Sequence, residues 1–214
     1  MTGGLPDPGG PFFCLSGRKM DFLTVMKQRR SCRSYDPGRP VSREDLLKIV
    51  EAGRLTPSAC NSQPWKFLVI DSPEAKAGLC DAVVVENGMT GAPWRHQVPA
   101  FIVLVEQPAD VKEVVVQHYH DTQHFARGDI GAACMNMMLA AHDLGLSSCV
   151  IGMNDQAKME QHFGIPRGCE ARLVLAIGYS TGEMPVNKIR KPLHEVCVFN
   201  HWQNAADGKD TGNA

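Results

Sequence analysis

Helix-period and strand-period stretches of apolar residues alternate irregularly along the chain. Phe22, Leu23, Val25 and Met26 fall at helical spacing and predict a helix over 21–30. Ser42, with Asp45 three residues on, is an N-terminal cap signature. The stripe Leu46, Leu47, Ile49 and Val50 then predicts a helix ending near Gly53. The run 65–71 is β-rich. Ser72-Pro73 opens another helix, because proline suits a first turn whose N–H groups have no intrahelical partner. Phe101 to Val105 predicts a strand over 100–106, followed by a helix over about 109–125. The stretch 129–144 carries Ile130, Ala133, Met137 and Leu139 among its apolar residues and leaves almost no polar face. A helix apolar all round, yet too short for a membrane, is predicted to be a buried central helix, stopped by Gly145. A short strand is predicted at 148–151, a helix from its cap Asp155 to Phe163-Gly164, and a β-rich run at 172–179. The stretch 196–202 is apolar and predicted to be extended, so it has to dock, a partner subunit being one candidate surface. Strands and helices do not alternate as βαβ units, which predicts an α+β fold.

Length narrows this to one domain: 214 residues suffice for a single large core. Residues 1–20 read as a loose N-terminal extension, 21–202 as one domain and 203–214 as a polar tail. Lys and Arg number 22 against 23 Asp and Glu, so no charge excess points to nucleic acid or an anionic membrane. No run approaches the roughly 20 apolar residues of a membrane helix, and no signal-peptide pattern is evident, so a cytoplasmic location is expected. Eight cysteines are scattered without a C-x-x-C pair, which reads as free packed thiols and gives no support for zinc. His118, His120 and His124 read as a solvated helix face, so no metal site is expected. Dinucleotide-fold, P-loop, zincin and α/β-hydrolase motifs do not occur.

Three features remain. One basic cluster is Lys27, Arg29, Arg30 and Arg33 around Ser31. A second is Lys188, Arg190 and Lys191. Arginine's planar donor fork suits phosphate, and a hydroxyl adds a donor, although solvated charges at helix ends would look the same by composition. The third feature is the stretch 56–65, dense in hydroxyls and amides between prolines. There Asn61 and Gln63 each pair a donor with an acceptor, as reading the edge of a heterocycle requires.

Four ordered motifs, spread over about 21–202, resemble the FMN-dependent nitroreductase family. They are Arg29-Arg30-Ser31-Cys32-Arg33, then Pro57-Ser58-Ala59-Cys60-Asn61-Ser62-Gln63-Pro64-Trp65, then Ala141 to Ser148 running into Val150-Ile151-Gly152, and finally Lys188-Ile189-Arg190-Lys191-Pro192-Leu193-His194-Glu195. The resemblance implies a three-layer α/β/α arrangement with a mostly antiparallel sheet. It also implies an intertwined homodimer with FMN at the interface and a C-terminal segment crossing to the partner. By the same resemblance, Arg29, Arg30 and Ser31 would hold the flavin phosphate together with Lys188 and Arg190 or Lys191. Arg33 would lie near the N1–C2=O edge of the ring. Pro57, Ser58, Ala59 and Asn61 would come from the other subunit, and the Val150–Gly152 backbone would face N5.

The implied reaction is NAD(P)H-dependent reduction of an electron-poor small molecule, a nitroaromatic or quinone, in ping-pong order, with the flavin and no protein nucleophile carrying the chemistry. Two other readings stay open. One is a same-fold flavoenzyme of another class, a reductive dehalogenase or flavin destructase. The other is a non-enzymatic FMN-binding redox sensor. Some members carry an acidic residue where Gly152 stands, and Asn87 and Arg95 find no secure place in the motif alignment.

Overall fold

A computed structural model of the chain describes residues 22–85, 88–182 and 188–202. The expected N-terminal extension, the polar tail and Asn87 lie outside the described residues. The chain divides into two units, 1–184 and 185–214, each described by itself below.

The first unit is an antiparallel sheet between two helical layers. Its strands are β1 (Trp65–Ile70), β2 (Ala100–Glu106), β3 (Ser147–Ile151) and β4 (Glu170–Gly178), in spatial order β1-β2-β4-β3. Register is set by pairs such as Trp65↔Glu106, Ala100↔Ile177 and Ser147↔Gly178. Side chains alternate across a strand. Accordingly, β2 sends Phe101, Val103 and Val105 into one core layer and Ala100, Ile102 and Leu104 into the other. On the first face lie α3 (Pro73–Ala82) and α6 (Gln156–Phe163), through Leu79, Cys80 and Met159. On the second lie α2 (Arg43–Arg54) and α5 (Ala126–Asp143), through Leu46, Ile49, Ile130 and Met137. This is the α+β fold the pattern predicted, in the three layers the motif resemblance implied.

Local chemistry sets the helix ends. The Ser42 hydroxyl accepts from Asp45 N at 3.0 Å, Ser72 from Ala75 N at 3.2 Å, and Asp155 from Ala157 N at 3.0 Å. Each satisfies an N–H left unpaired by the first turn. Gly145 (φ 76°) and Gly164 (φ 63°) end α5 and α6 in the left-handed region.

Three expectations are corrected. The helix over 109–125 is only one short element, α4 (Glu113–Tyr119), which stops where His120 turns left-handed at φ 53°. Beyond it Gln123 reaches back across the sheet end. Its amide donates to Glu106 at 2.7 Å and to Gln107 O at 3.0 Å, and its carbonyl accepts from Ala109 N at 2.6 Å. Those long-range bonds hold 120–125 out of helix. Next, α5 is not buried all round: Gly128, Gly131 and Ala132 are exposed, and a Cβ added at either glycine would meet nothing. Finally, 196–202 is not extended. In the second unit Val196 closes the short α7 (Leu193–Val196), and a bend follows with Asn200 at φ 64°. Ile189, Leu193, Phe199 and Trp202 in that unit are all highly exposed. Among the described residues no helix is long and apolar enough to cross a membrane.

Candidate functional site

The N-terminal helix α1 (Phe22–Gln28) delivers the first basic cluster to the sheet. Past its end the chain runs beside β3: Ser31 bridges Ser148 in parallel, and Cys32 N donates to Ser148 O at 3.0 Å. It then follows the continuation of β4, where Tyr35 bridges Ser180 and the Ser34 and Thr181 hydroxyls meet at 2.7 Å. The motif is therefore an edge segment of the sheet, held in extended backbone.

That geometry concentrates charge at one place. Arg29 Nε and Nη1 are shut off from solvent, while Arg33 is exposed. Both cations and the Ser31 hydroxyl act on the Cys149 thiol of β3. Burial pushes that thiol up, and Arg33, the Ser31 hydrogen bond and Arg29 pull against the rise. Arg29, Ser31 and Arg33 thus converge on the outer edge of β3. Arg30 behaves differently: its Nη1 contacts the carbonyls of Lys27, Gln28 and Arg29, capping the C-terminus of α1. Burial also raises the Tyr35 hydroxyl pKa well above its usual value, with Cys32 and Cys149 beside it.

Val150 and Ile151 lie within β3, their side chains shared between the two core layers. Gly152 follows, exposed, with open space where a Cβ would stand.

The loop before β1 is shaped by strain and anchored from α5. Cys60, Asn61 and Gln63 all take positive φ, at 55°, 54° and 47°. For Cys60 and Gln63 that region is disfavoured, so surrounding bonds have to hold it. Ser58 Oγ accepts from Gln63 N at 2.9 Å. Asp129 Oδ2 accepts from Ala59 N at 3.1 Å, and Asn136 Nδ2 donates to the buried Thr56 hydroxyl at 2.8 Å. Asp129 and Asn136 are seven residues apart, two helical turns, on one face of α5. Sequence reasoning passed over them as minor breaks in an apolar helix, although their spacing was the available signal.

One chain does not bring the two motifs together. Ala59 is tied to Asp129 in the first turn of α5 and Thr56 to Asn136 in mid-helix, while Ser31 pairs with Ser148, five residues past the helix end. From Asp129 to its last residue, Asp143, the helix runs about 21 Å at 1.5 Å per residue. The loop also leads into β1 and the arginine segment flanks β3, the two outer strands, roughly 14 Å apart across three strand spacings.

Lys188 is partly buried, and Arg190 and Lys191 are exposed. All three belong to the second unit, where Arg190 Nη1 donates to Ile189 O at 2.7 Å. His118 and His124 form an exposed ring cluster with Tyr119, which stacks on His124 at 4.0 Å and meets His118 edge-on at 4.6 Å. No group of three metal-ligating side chains occurs among the described residues.

A prediction follows from the loop anchor. Asp129→Ala removes a charged acceptor from Ala59 N, which should cost about 1–2 kcal/mol. For a chain of this size that lowers Tm by roughly 2–8 °C. Thermal unfolding with Asp129→Asn as the control checks it: asparagine keeps an acceptor oxygen and should recover most of the loss.

Comparison with known proteins agrees with this architecture. YdgI of Bacillus subtilis (strain 168), provisionally named an NAD(P)H nitroreductase, is 29% identical over 202 residues, covering 79% of this chain and 96% of YdgI. The crystal structure of a nitroreductase family protein from Clostridium difficile 630 superposes with a TM-score of 0.71 at 25% identity, covering 86% of this chain and all of that one. A provisionally named nitroreductase from Exiguobacterium sibiricum 255-15, solved in complex with FMN, superposes with a TM-score of 0.70 at 24% identity, covering 85% of this chain and 98% of that one. The family model described as Nitroreductase family matches residues 26–179, from α1 to the end of β4 and so across the whole layered unit. On that match and that fold, the chain belongs to the Nitroreductase family.

Proposed function

We propose that the protein is an FMN-dependent oxidoreductase that works as a homodimer, taking electrons from NAD(P)H and reducing an electron-poor small molecule such as a nitroaromatic or quinone. The observation that carries this reading is the separation of the two motifs to opposite ends of α5, beside an uncovered α5 face. A second copy docked on that face would bring its own loop to the first copy's arginine segment.

The residues present fit FMN. The charges of Arg29 and Arg33 and the Ser31 hydroxyl meet on one sheet edge, the chemistry a phosphate needs. Arg33 lies two residues on, exposed, where it can meet a ring that follows the phosphate along that edge. From the motif resemblance, Lys188, Arg190 and Lys191 are proposed as further phosphate cations, together with Arg30.

Bound FMN supplies the redox chemistry, hydride acceptance from NAD(P)H and delivery to the acceptor in ping-pong order. The chain's own tasks are positional. The arginine segment fixes one end of the cofactor. The strained Pro57–Asn61 loop, held rigid through Ser58 and Asp129, presents Pro57, Ser58, Ala59 and Asn61 to the partner's cofactor. By the motif resemblance the Val150–Gly152 backbone would face the N5 side of the ring, and a Cβ added at Gly152 would meet nothing in the chain.

Arg33 has a separate electrostatic task, to favour negative charge on the ring. A unit charge at contact range in a half-exposed site is worth about 1–2 kcal/mol. Arg33→Met should therefore lower the two-electron FMN potential by on the order of 20–40 mV. A redox titration against a reference dye checks it, and an unchanged potential would remove this role.

Mixed dimers test the composite site. Arg29→Ala and Asn61→Glu homodimers should each bind FMN poorly. Co-expressed as a mixed dimer, they should regain one flavin per dimer, because one site then draws both halves from unaltered segments. A mixed dimer with no recovered flavin would contradict sharing of the site between chains.

A further inference from the structure

Arg95, which finds no place in the family motifs, lies on the α3 layer. Its Nε donates to Cys80 O at 2.8 Å, and Nη1 reaches Ala92 O only at 3.5 Å, too long to count as a firm hydrogen bond. The guanidinium is thus pinned on one side, and its Nη2 has no hydrogen bond among the described residues. Beside it opens a cavity of about 260 Å³, walled by the Pro73, Lys76 and Cys80 face of α3 and by Arg95 and His96 of the turn before β2. Pro73, Lys76 and Cys80 recur at helical spacing, so they share one face.

The lining holds three basic side chains and no carboxylate. The Lys76 ammonium and the His96 ring make no hydrogen bond or ion pair among the described residues. Asp71, the carboxylate whose charge Lys76 feels, is already held by Arg43, with Nε to Oδ2 at 2.6 Å and Nη2 to Oδ1 at 3.2 Å. The fields of Arg95 and Lys76 both reach the buried Cys80 thiol, which also lines the cavity. Uncompensated cations around a concave site are a site for an anion. The volume lies just below the roughly 300 Å³ at which pockets for whole organic ligands begin. The occupant is therefore a compact group rather than an entire cofactor.

We infer that this cavity is a second anion site, distinct from the arginine segment on β3, and that it takes a dianionic phosphate group, free or as the monoester end of a larger molecule. Arg95 offers a fixed donor edge, and Lys76 and His96 close on the remaining oxygens. The inference stands independently of the flavin reading.

Isothermal titration of the full-length protein with inorganic phosphate tests it, with adenosine monophosphate and adenosine as parallel probes. Wild type is expected to bind phosphate, Lys76→Glu to weaken it at least tenfold, and His96→Ala several-fold. Melting temperature and flavin content of both variants should match wild type, and His96→Ala serves if Lys76→Glu fails to fold. In the Arg29→Ala variant the Lys76-dependent binding should persist. Adenosine monophosphate binding as well as phosphate identifies a monoester ligand. Its exclusion, with phosphate retained, identifies free phosphate. The proposal is overturned by no phosphate binding at millimolar concentration, by binding unchanged in both cavity variants, or by binding that vanishes in Arg29→Ala alone.

Discussion

Arg29→Ala is expected to weaken FMN binding by one to two orders of magnitude, while leaving turnover of the flavin-saturated protein within a few-fold of wild type. A charge-assisted hydrogen bond is worth about 1.5–3 kcal/mol, and each 1.4 kcal/mol is tenfold in affinity. Arg29 has two guanidinium nitrogens removed from solvent and adds its field to Arg33's at the edge of β3. Its charge therefore acts in a partly desolvated place, where pairing with an anion is strongest. A phosphate contact is common to every stage of the reaction, so its loss should raise the FMN dissociation constant and change the hydride-transfer rate little. Fluorescence titration of FMN into the apoprotein, paired with rapid-mixing reduction by NADH at saturating FMN, separates the two effects. Equal losses in both would move Arg29 from cofactor retention to the chemistry.

Ala132→Glu is expected to give a monomer without flavin. Gly128, Ala132, Met135 and Leu139 follow one another at three- and four-residue steps along α5 with Gly131 beside Ala132, and Gly128, Gly131 and Ala132 are exposed in the single chain. Leu47 on α2, the helix packed beside it, and Leu55 just past the end of α2 are 65% and 60% exposed. Small residues on one stripe allow a partner's backbone to come close. A carboxylate placed there would be buried without a partner, at a cost of several kcal/mol per chain. Both copies would carry it, so the effect doubles across a two-fold interface. Fold stability of the single chain should change little, since position 132 faces outward. Light scattering coupled to size exclusion, with flavin absorbance read on the same peak, checks both halves of the expectation. A flavin-loaded dimer would place the interface elsewhere.

What the sequence made legible was what local chemistry decides. Ser42, Ser72 and Asp155 cap the helices they were expected to cap, because a side-chain oxygen next to free N–H groups needs no distant partner. The strand 100–106 matches end to end, because both of its faces are buried and its apolar run is continuous. Hidden from the sequence were features that depend on residues far apart. The break after Tyr119 is enforced by Gln123 acting on Glu106 and Ala109. Local spacing, by contrast, favoured a longer helix. Asp129 and Asn136 hold a loop 70 and 80 residues away in sequence. Cys149 meets Ser31 only because the arginine segment pairs with β3. The motif residues themselves were readable. Their division between the two ends of α5 was not, because it exists only once the helix is laid across the sheet.

The most direct measurement of the central claim is the visible absorption spectrum of the purified protein, recorded without oxygen before and after NADH or NADPH is added. The account predicts bound flavin, released as FMN on denaturation, whose visible band bleaches with at least one nicotinamide and returns when a quinone or nitroaromatic is supplied. A folded protein that stays colourless after incubation with FMN, or a bound flavin that neither nicotinamide reduces, would contradict it.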